Sequence, residues 1–384
     1  MESELHAFIL WENAVPKSKE IIDYIKEKFE ICKIHKIKWP ESKFADNLKR
    51  FYGVTLTNPI EKESICGNGP FLLVTVLDKN PKYGKRKTSL GSQIVNTNIY
   101  DQKMEYRKKL GSGYIIHSSI HEKEANHDFT LLLGKNVEQL KAELKGPWDE
   151  NIEEKQTDLF GSNWNHPDEL FFVLNSIVEY VVLRNFEQFP NELINEDHKD
   201  IDLLTSEQWQ LPYILNMKKK HTENVGFAPF VEIGRKKIKL DIRYVGDKYY
   251  DEKWSKDILK RRVLSKNGVY VPSNEDYFFS LLYHMLIHKK KLSKDYCEKL
   301  YKIAPKYILK NYKNNEFENF DTLKKILEEF MKKNGYRDTN SVSYRLSHNE
   351  FVRLLNVGVF TIKHEGWGFL FRATKSKIRR GVKI

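Results

Sequence analysis

A chain of 384 residues exceeds one ordinary hydrophobic core and predicts two domains. Its 40% hydrophobic and 13% aromatic content excludes a disordered chain, and three widely spaced cysteines exclude a disulfide framework or a cysteine-rich metal site. The net charge of +12 points away from acidic-tail proteins and toward polyanionic partners: nucleotides, nucleic acid, phosphoglycans or an anionic membrane face.

In chain order, residues 6–11 read as a buried strand. A helix is expected over 16–30, with Ile21, Ile22, Ile25 and Phe29 at helical spacing and Pro16 near its first turn. Strands are expected at 31–39, 70–78 and 114–116, and helices at 41–52 and 122–130, with a helix or loop after the strand at 70–78. This describes a small α+β sandwich over residues 1–145. Gly146, Pro147, Gly161 and Pro167 mark 146–167 as a linker or surface crossing. A second domain, 168–300, opens with an apolar helix from Leu170 to Val182. Strands follow at 200–205 and 237–245, with one at 227–233 pairing with the latter through Gly234. An apolar helix carrying Tyr277, Leu281, Leu282, Met285 and Leu286 comes after Pro272. Residues 301–384 read as a helical, basic extension, with Leu323, Ile326, Leu327 and Phe330 on one helix face. The acidic N-terminus has no signal-peptide pattern and no apolar run spans a bilayer, so a cytoplasmic protein is expected.

Asp200-Ile201-Asp202-Leu203-Leu204 puts two carboxylates on one face of a strand, with Ile201 and Leu203 toward the core. Like charges so close repel and call for a cation. Magnesium, or manganese, suits oxygen ligands, with nucleotide phosphate completing its shell. Lys239-Leu240-Asp241-Ile242-Arg243 offers a third carboxylate in an apolar strand. The order helix, Asp-x-Asp strand, strand with a third Asp resembles the nucleotidyltransferase superfamily. That resemblance implies an α/β sheet, magnesium held by Asp200, Asp202 and Asp241, and transfer of a nucleotidyl or related phosphoryl group. The superfamily's Gly-Ser signature is replaced by Leu183-Arg184-Asn185-Phe186-Glu187, which makes Arg184 and Asn185 candidate phosphate ligands. Arg243, Lys248, Arg261 and Arg262 are further candidates, and His284 and His288, four apart on one helix face, read as core or substrate-contact residues.

In the first domain, Gly113-Tyr114-Ile115-Ile116-His117-Ser118-Ser119 is followed by Glu124-Ala125 and Asp128. Gly69-Pro70-Phe71-Leu72 and Arg86-Lys87-Thr88-Ser89-Leu90-Gly91 lie upstream. This collinear set, over residues 6–134, resembles nucleoside diphosphate kinase. The resemblance implies a ferredoxin-like fold and places His117 at the phosphorylated-histidine position. Ser119 and Asp128 would be its neighbours, and Tyr52 with Arg86 or Lys87 would lie on the nucleotide side. Trp11 stands where the family has a phosphate-contacting lysine.

Together these readings describe an α+β enzyme: a kinase-like N-terminal domain, an α/β nucleotidyltransferase-fold domain and a helical C-terminal extension. The expected reaction moves a nucleotidyl or phospho-sugar/alditol group from an activated nucleotide to a hydroxyl acceptor, as in polysaccharide biosynthesis, with a phosphorylated glycan as one acceptor class. An RNA-directed nucleotidyltransferase and a non-enzymatic nucleotide sensor remain open. Residues 331–384 carry 12 Lys/Arg against 3 Asp/Glu. Basic residues at 372–384 interleave with apolar ones, as in a tail that docks peripherally on an anionic membrane or acidic acceptor. The oligomeric state is open.

Overall fold

Seven consecutive residues of the first strand, β1 (Glu4–Leu10), are buried, which requires partners on both edges and cover on both faces. In the computed structural model, which describes residues 2–111, 113–144, 146–187, 189–190, 193, 200–222, 226–289 and 292–337, β1 lies between two antiparallel neighbours. These are β3 (Phe71–Asp78) and β6 (Ile116–Ser118). β2 (Glu30–Lys38) pairs antiparallel with β3, and β7 (Ile152–Gln156) runs parallel to β2, giving the order β6-β1-β3-β2-β7. The chain folds as two units. The first contains 1–179, 190–200 and 207–240.

One face of this first sheet is closed by α1 (Ser18–Lys28), where Ile21, Ile22 and Ile25 meet Phe8, Ile34, Val74 and Val76. The other carries an aromatic cluster in which Trp11 packs on Phe71 at 4.7 Å and Trp39 on Phe44 at 5.1 Å, Phe44 opening α2 (Phe44–Tyr52). The stretch expected as helix or loop after β3 opens with a hairpin the sequence did not announce, β4 (Tyr83–Thr88) with β5 (Gly91–Asn96), and continues as a helix, α4 (Thr97–Leu110). Before β3 lies α3 (Pro59–Cys66), started by the Asn58 side chain accepting from the Glu61 amide, with Pro59 at the first turn. After β6 come α5 (Glu122–Leu133) and α6 (Val137–Glu143). The stretch read as a linker carries β7; as a polar edge strand it has no apolar alternation to announce it.

The helix expected from Leu170 to Val182 stops at Ile177: it is α7 (Pro167–Ile177), and Tyr180-Val181-Val182 turns into strand β8 (Tyr180–Val182). β-Branched residues favour the strand, and the apolar run gave no sign of the change in period. Gly234, at φ +59°, turns the hairpin between β11 (Gly226–Ile233) and β12 (Lys236–Tyr244), as its sequence predicts; β10 (Lys218–Thr222) pairs on the far side of β11.

The second unit contains 180–189, 201–206 and the described residues from 241 onward. Here β8 pairs antiparallel with β9 (Asp200–Thr205), and β12 neighbours β9. The helix Asn274–Tyr283 starts on the Ser273 side chain and widens into a π turn, His284–Lys289. Its apolar residues pack on the helix Phe320–Asn334 through the predicted Leu323, Ile326, Leu327 and Phe330, Phe279 and Phe330 stacking at 3.6 Å. The architecture is mixed α and β throughout. Among the described residues no helix is long and apolar enough to cross a membrane. The basic tail at 372–384 lies outside the described residues.

Candidate functional site

Strand β9 is buried on both faces, not one. Asp200 opens it and is exposed, whereas Asp202 is only 5% exposed, with Ile201 and Leu203 fully buried beside it. The expected pair of like-placed carboxylates is therefore one exposed and one buried. A buried carboxylate needs a counter-charge, and Arg184, just past the end of β8, supplies it. Its Nε donates to Asp202 Oδ2 at 3.1 Å and its Nη2 to Oδ1, a bidentate fork. Burial opposes the Arg184 charge, but Asp202 and Tyr249 outweigh it and hold the guanidinium proton more tightly than usual.

The third Arg184 nitrogen, Nη1, donates to Tyr249 Oη at 3.1 Å and to His284 Nδ1 at 2.8 Å, and the Tyr249 hydroxyl also lies 2.8 Å from His284 Nδ1. A guanidinium only donates, so His284 Nδ1 accepts and the ring proton sits on Nε2. Burial, then the Arg184 charge, lowers the His284 pKa to about 3, keeping the ring neutral. Two groups lie against the Tyr249 ring: His288 stacks on it at 3.9 Å and 14°, and the Arg243 guanidinium lies 4.3 Å from its centre. Arg243 in turn pairs with Asp241 at 3.0 Å, while its Nε is buried with no hydrogen-bond partner among the described residues.

Between its ordinary value near 6.5 and the folded value near 3, His284 takes a proton only when unfolded. Stability should therefore fall as pH is lowered through that window, by up to ~1.4 kcal/mol per pH unit for one proton. Urea unfolding of wild type and His284→Gln across the window checks it; the variant should lose that part of the slope.

Not every expected phosphate ligand joins this cluster. Asn185 and Lys248 are exposed, at φ +55° and +66°. Arg262 donates to the Tyr180 carbonyl at 3.3 Å and covers the Tyr270 ring at 4.4 Å, and Arg261 is paired with buried Asp276. Tyr249 was not read from the sequence; the only trace of it was an aromatic pair, Tyr249-Tyr250, after the Gly246-Asp247 turn.

Among the described residues no group of three His, Cys, Asp or Glu is placed to hold a metal. Magnesium, however, is commonly held by one or two carboxylates plus substrate phosphate. Asp202 and Asp241, hard oxygen donors on neighbouring strands, fit that chemistry, and the Arg184 guanidinium already stands as the cation on Asp202.

The first unit holds a second cluster. His117, on β6 opposite Ile9 of β1, has Nε2 2.8 Å from Asp128 Oδ2. Asp128, on α5, is 1% exposed and its other oxygen meets His127 Nδ1 at 3.0 Å. Burial pushes the Asp128 carboxyl up, but His117 and His127 outweigh it and hold it below its ordinary value. Asp128 accepts a hydrogen bond from His117 Nε2, and His117 Nδ1 has no hydrogen bond among the described residues. Phe51 and Tyr52 meet the ring edge-on, each at 5.5 Å. Ser119 turns instead to β1, accepting from the Ala7 amide at 2.8 Å. Arg86 is held by Asp101 in the β4–β5 hairpin region, and Lys87 is exposed there. Trp11 fills the aromatic core and donates to Tyr52 Oη at 3.3 Å.

No family model matches the chain, and neither the curated proteins nor the solved structures compared with it give a match.

Proposed function

We propose that this is a cytoplasmic transferase whose second unit moves a nucleotidyl or phospho-sugar/alditol group from a nucleotide-activated donor to a hydroxyl acceptor, with magnesium. The observation that carries the reading is the buried Asp202–Arg184–Tyr249–His284 cluster, next to the Asp241–Arg243 pair. So many hydrogen-bonded polar groups set into an aromatic core cost stability, and such clusters concentrate at working sites. Asp202 and Asp241 would hold the metal, which when bound supplies charge neutralisation at the transferring phosphate. Arg184 and Arg243 bring guanidinium donors suited to phosphate oxygens. Neutral His284 offers an Nε2–H donor, and Asp241, about a third exposed, would accept the proton of an acceptor hydroxyl. Incubation with labelled nucleoside triphosphates and nucleotide-activated sugars or alditols should give magnesium-dependent turnover that stops in excess EDTA; undiminished turnover in EDTA would remove the metal from the reading.

The His117–Asp128 geometry favours a second activity in the first unit, phosphotransfer through His117 on a ferredoxin-like, nucleoside diphosphate kinase-like domain. The strand order β6-β1-β3-β2 and the Asp128 hydrogen bond that orients the His117 ring support it.

A further inference from the structure

A strand ordinarily packs at least one face on a core, but none of the five side chains of β7 is buried. What holds it is its ladder and a set of ion pairs. It runs parallel to β2 in the register Ile34–Ile152 to Lys38–Gln156. The Trp148 amide donates to the Ile31 carbonyl at 2.8 Å and the Thr157 amide to the Lys38 carbonyl at 3.1 Å, closing the ladder at its two ends. Residues 148–158 hold five acids against one lysine, in a chain whose net charge is +12. Four of these acids meet lysines: Glu150 with Lys26 at 2.9 Å, Glu153 with Lys33 at 2.5 Å, Glu154 with Lys36 at 2.9 Å and Asp158 with Lys43 at 2.7 Å. Glu150, Glu153 and Glu154 are at least half exposed, where ion pairs contribute little and salt screens them. Beneath, β2 does not depend on this cover: Ile31, Ile34 and Ile37 are buried, and its other edge pairs with β3 from Glu30 to Ile37. Trp148, with the Lys26 ammonium 5.0 Å from its ring, and the buried Leu159 anchor the segment at either end. The stretch between them can lift and leave a ready-made sheet edge.

We propose that residues 149–157 are a releasable acidic strap, and that the β2 edge beneath them docks an extended acidic segment of a partner protein through the same parallel pairing. An open strand edge recruits another strand through its main chain, which supplies affinity without choosing a sequence. The choice comes from the lysines. Lys33 and Lys36 lie on opposite faces of β2 by strand alternation, and they select carboxylates at two consecutive positions, as Glu153 and Glu154 now provide. A neutral or basic strand would leave both lysines unpaired. The strap is thus the tethered competitor of the partner segment. This docking is independent of the transfer chemistry in the second unit and of His117.

The test uses the full chain, hydrogen–deuterium exchange, and a labelled synthetic peptide of residues 148–158 as the probe for docking. Amides of 152–157 should exchange ~10²-fold faster than those of β3, since only local opening is needed, and faster again in ~1 M salt. Glu153→Gln/Glu154→Gln alters two exposed side chains and should leave the unfolding midpoint nearly unchanged. It should speed strap exchange and tighten peptide binding ~5-fold, because the tethered competitor is weaker. Adding Lys33→Gln/Lys36→Gln to that variant should take the gain away: the peptide then loses its partners, while the strap has none left to lose. A peptide with Gln at both Glu positions should bind the loosened variant ~5-fold more weakly than the acidic one. Strap amides that exchange as slowly as those of β3 would show that the strap does not release. A loosened variant that binds the peptide no more tightly than wild type, or binds the Gln peptide equally well, would remove the docking site. A wild-type dimer that free peptide dissociates would seat the strap of a second copy on β2 and overturn the partner reading.

Discussion

Asp202→Asn is expected to lower transfer by at least ~10³-fold, about 4 kcal/mol in transition-state terms, and to destabilise the second unit by about 3–5 kcal/mol. The two losses have different causes. An amide holds no net charge for a cation, so turnover fails. It also leaves the Arg184 guanidinium buried without its anion, since both Asp202 oxygens are in that fork. Read from its spacing alone, Asp202 belongs to a solvent-facing pair, and its amide variant should fold normally; burial at 5% exposure changes that expectation. The double variant Asp202→Asn/Arg184→Gln separates the effects. It should recover most of the stability, because neither charge is then stranded, and none of the turnover. Urea unfolding followed by tryptophan fluorescence, beside turnover of a labelled donor, reads both. Wild-type turnover in Asp202→Asn would remove this residue from the chemistry. A double variant as unstable as the single one would show that the charge pair is not the source of the loss.

Asp128→Ala should cost about 2–3 kcal/mol by leaving two imidazoles without their acceptor in a buried site, and should eliminate any acid-labile phosphate on His117. The pH dependence has a definite sign. The folded Asp128 pKa is below its ordinary 3.8, so its contribution is present above that value and is lost as pH falls through the folded one. The stability gap between wild type and Asp128→Ala should hold at neutral pH and close in acid. Unfolding midpoints across that range, with labelling by several nucleoside triphosphates, test both parts. A gap that widens in acid would mean that the carboxyl is protonated in the folded protein and cannot orient His117. Persistent labelling in the variant would show that His117 does not need this carboxylate.

Much of the fold was legible because its elements have strong periods. Ile21, Ile22 and Ile25, and Leu323, Ile326, Leu327 and Phe330, have helical spacing and are buried as that spacing demands. The unbroken apolar runs at β1 and β3 read as buried strands and are. The polar edge strand β7 and the hairpin β4–β5 were not legible, since edge strands and exposed hairpins need no apolar alternation. α4 was left between helix and loop for a related reason: charged residues interrupt its stripe, and Lys103 stands where an apolar residue would have marked the helix.

The sequence by itself determined the candidate residues: the acids Asp200, Asp202 and Asp241, the arginines Arg184 and Arg243, and His117 with Asp128 downstream. Local spacing is enough for that, because side-chain type and strand or helix period are properties of neighbours in the chain. Only the tertiary structure decided which of them meet. Arg184 reaches Asp202 and His284 across 18 and 100 residues, and Tyr249 enters through a turn that no periodic pattern marks. The same applies to charge state. Whether a carboxylate or an imidazole is held charged depends on burial and on partners from distant segments, and this is why Asp202 and His284 acquire their character only once the chain has folded.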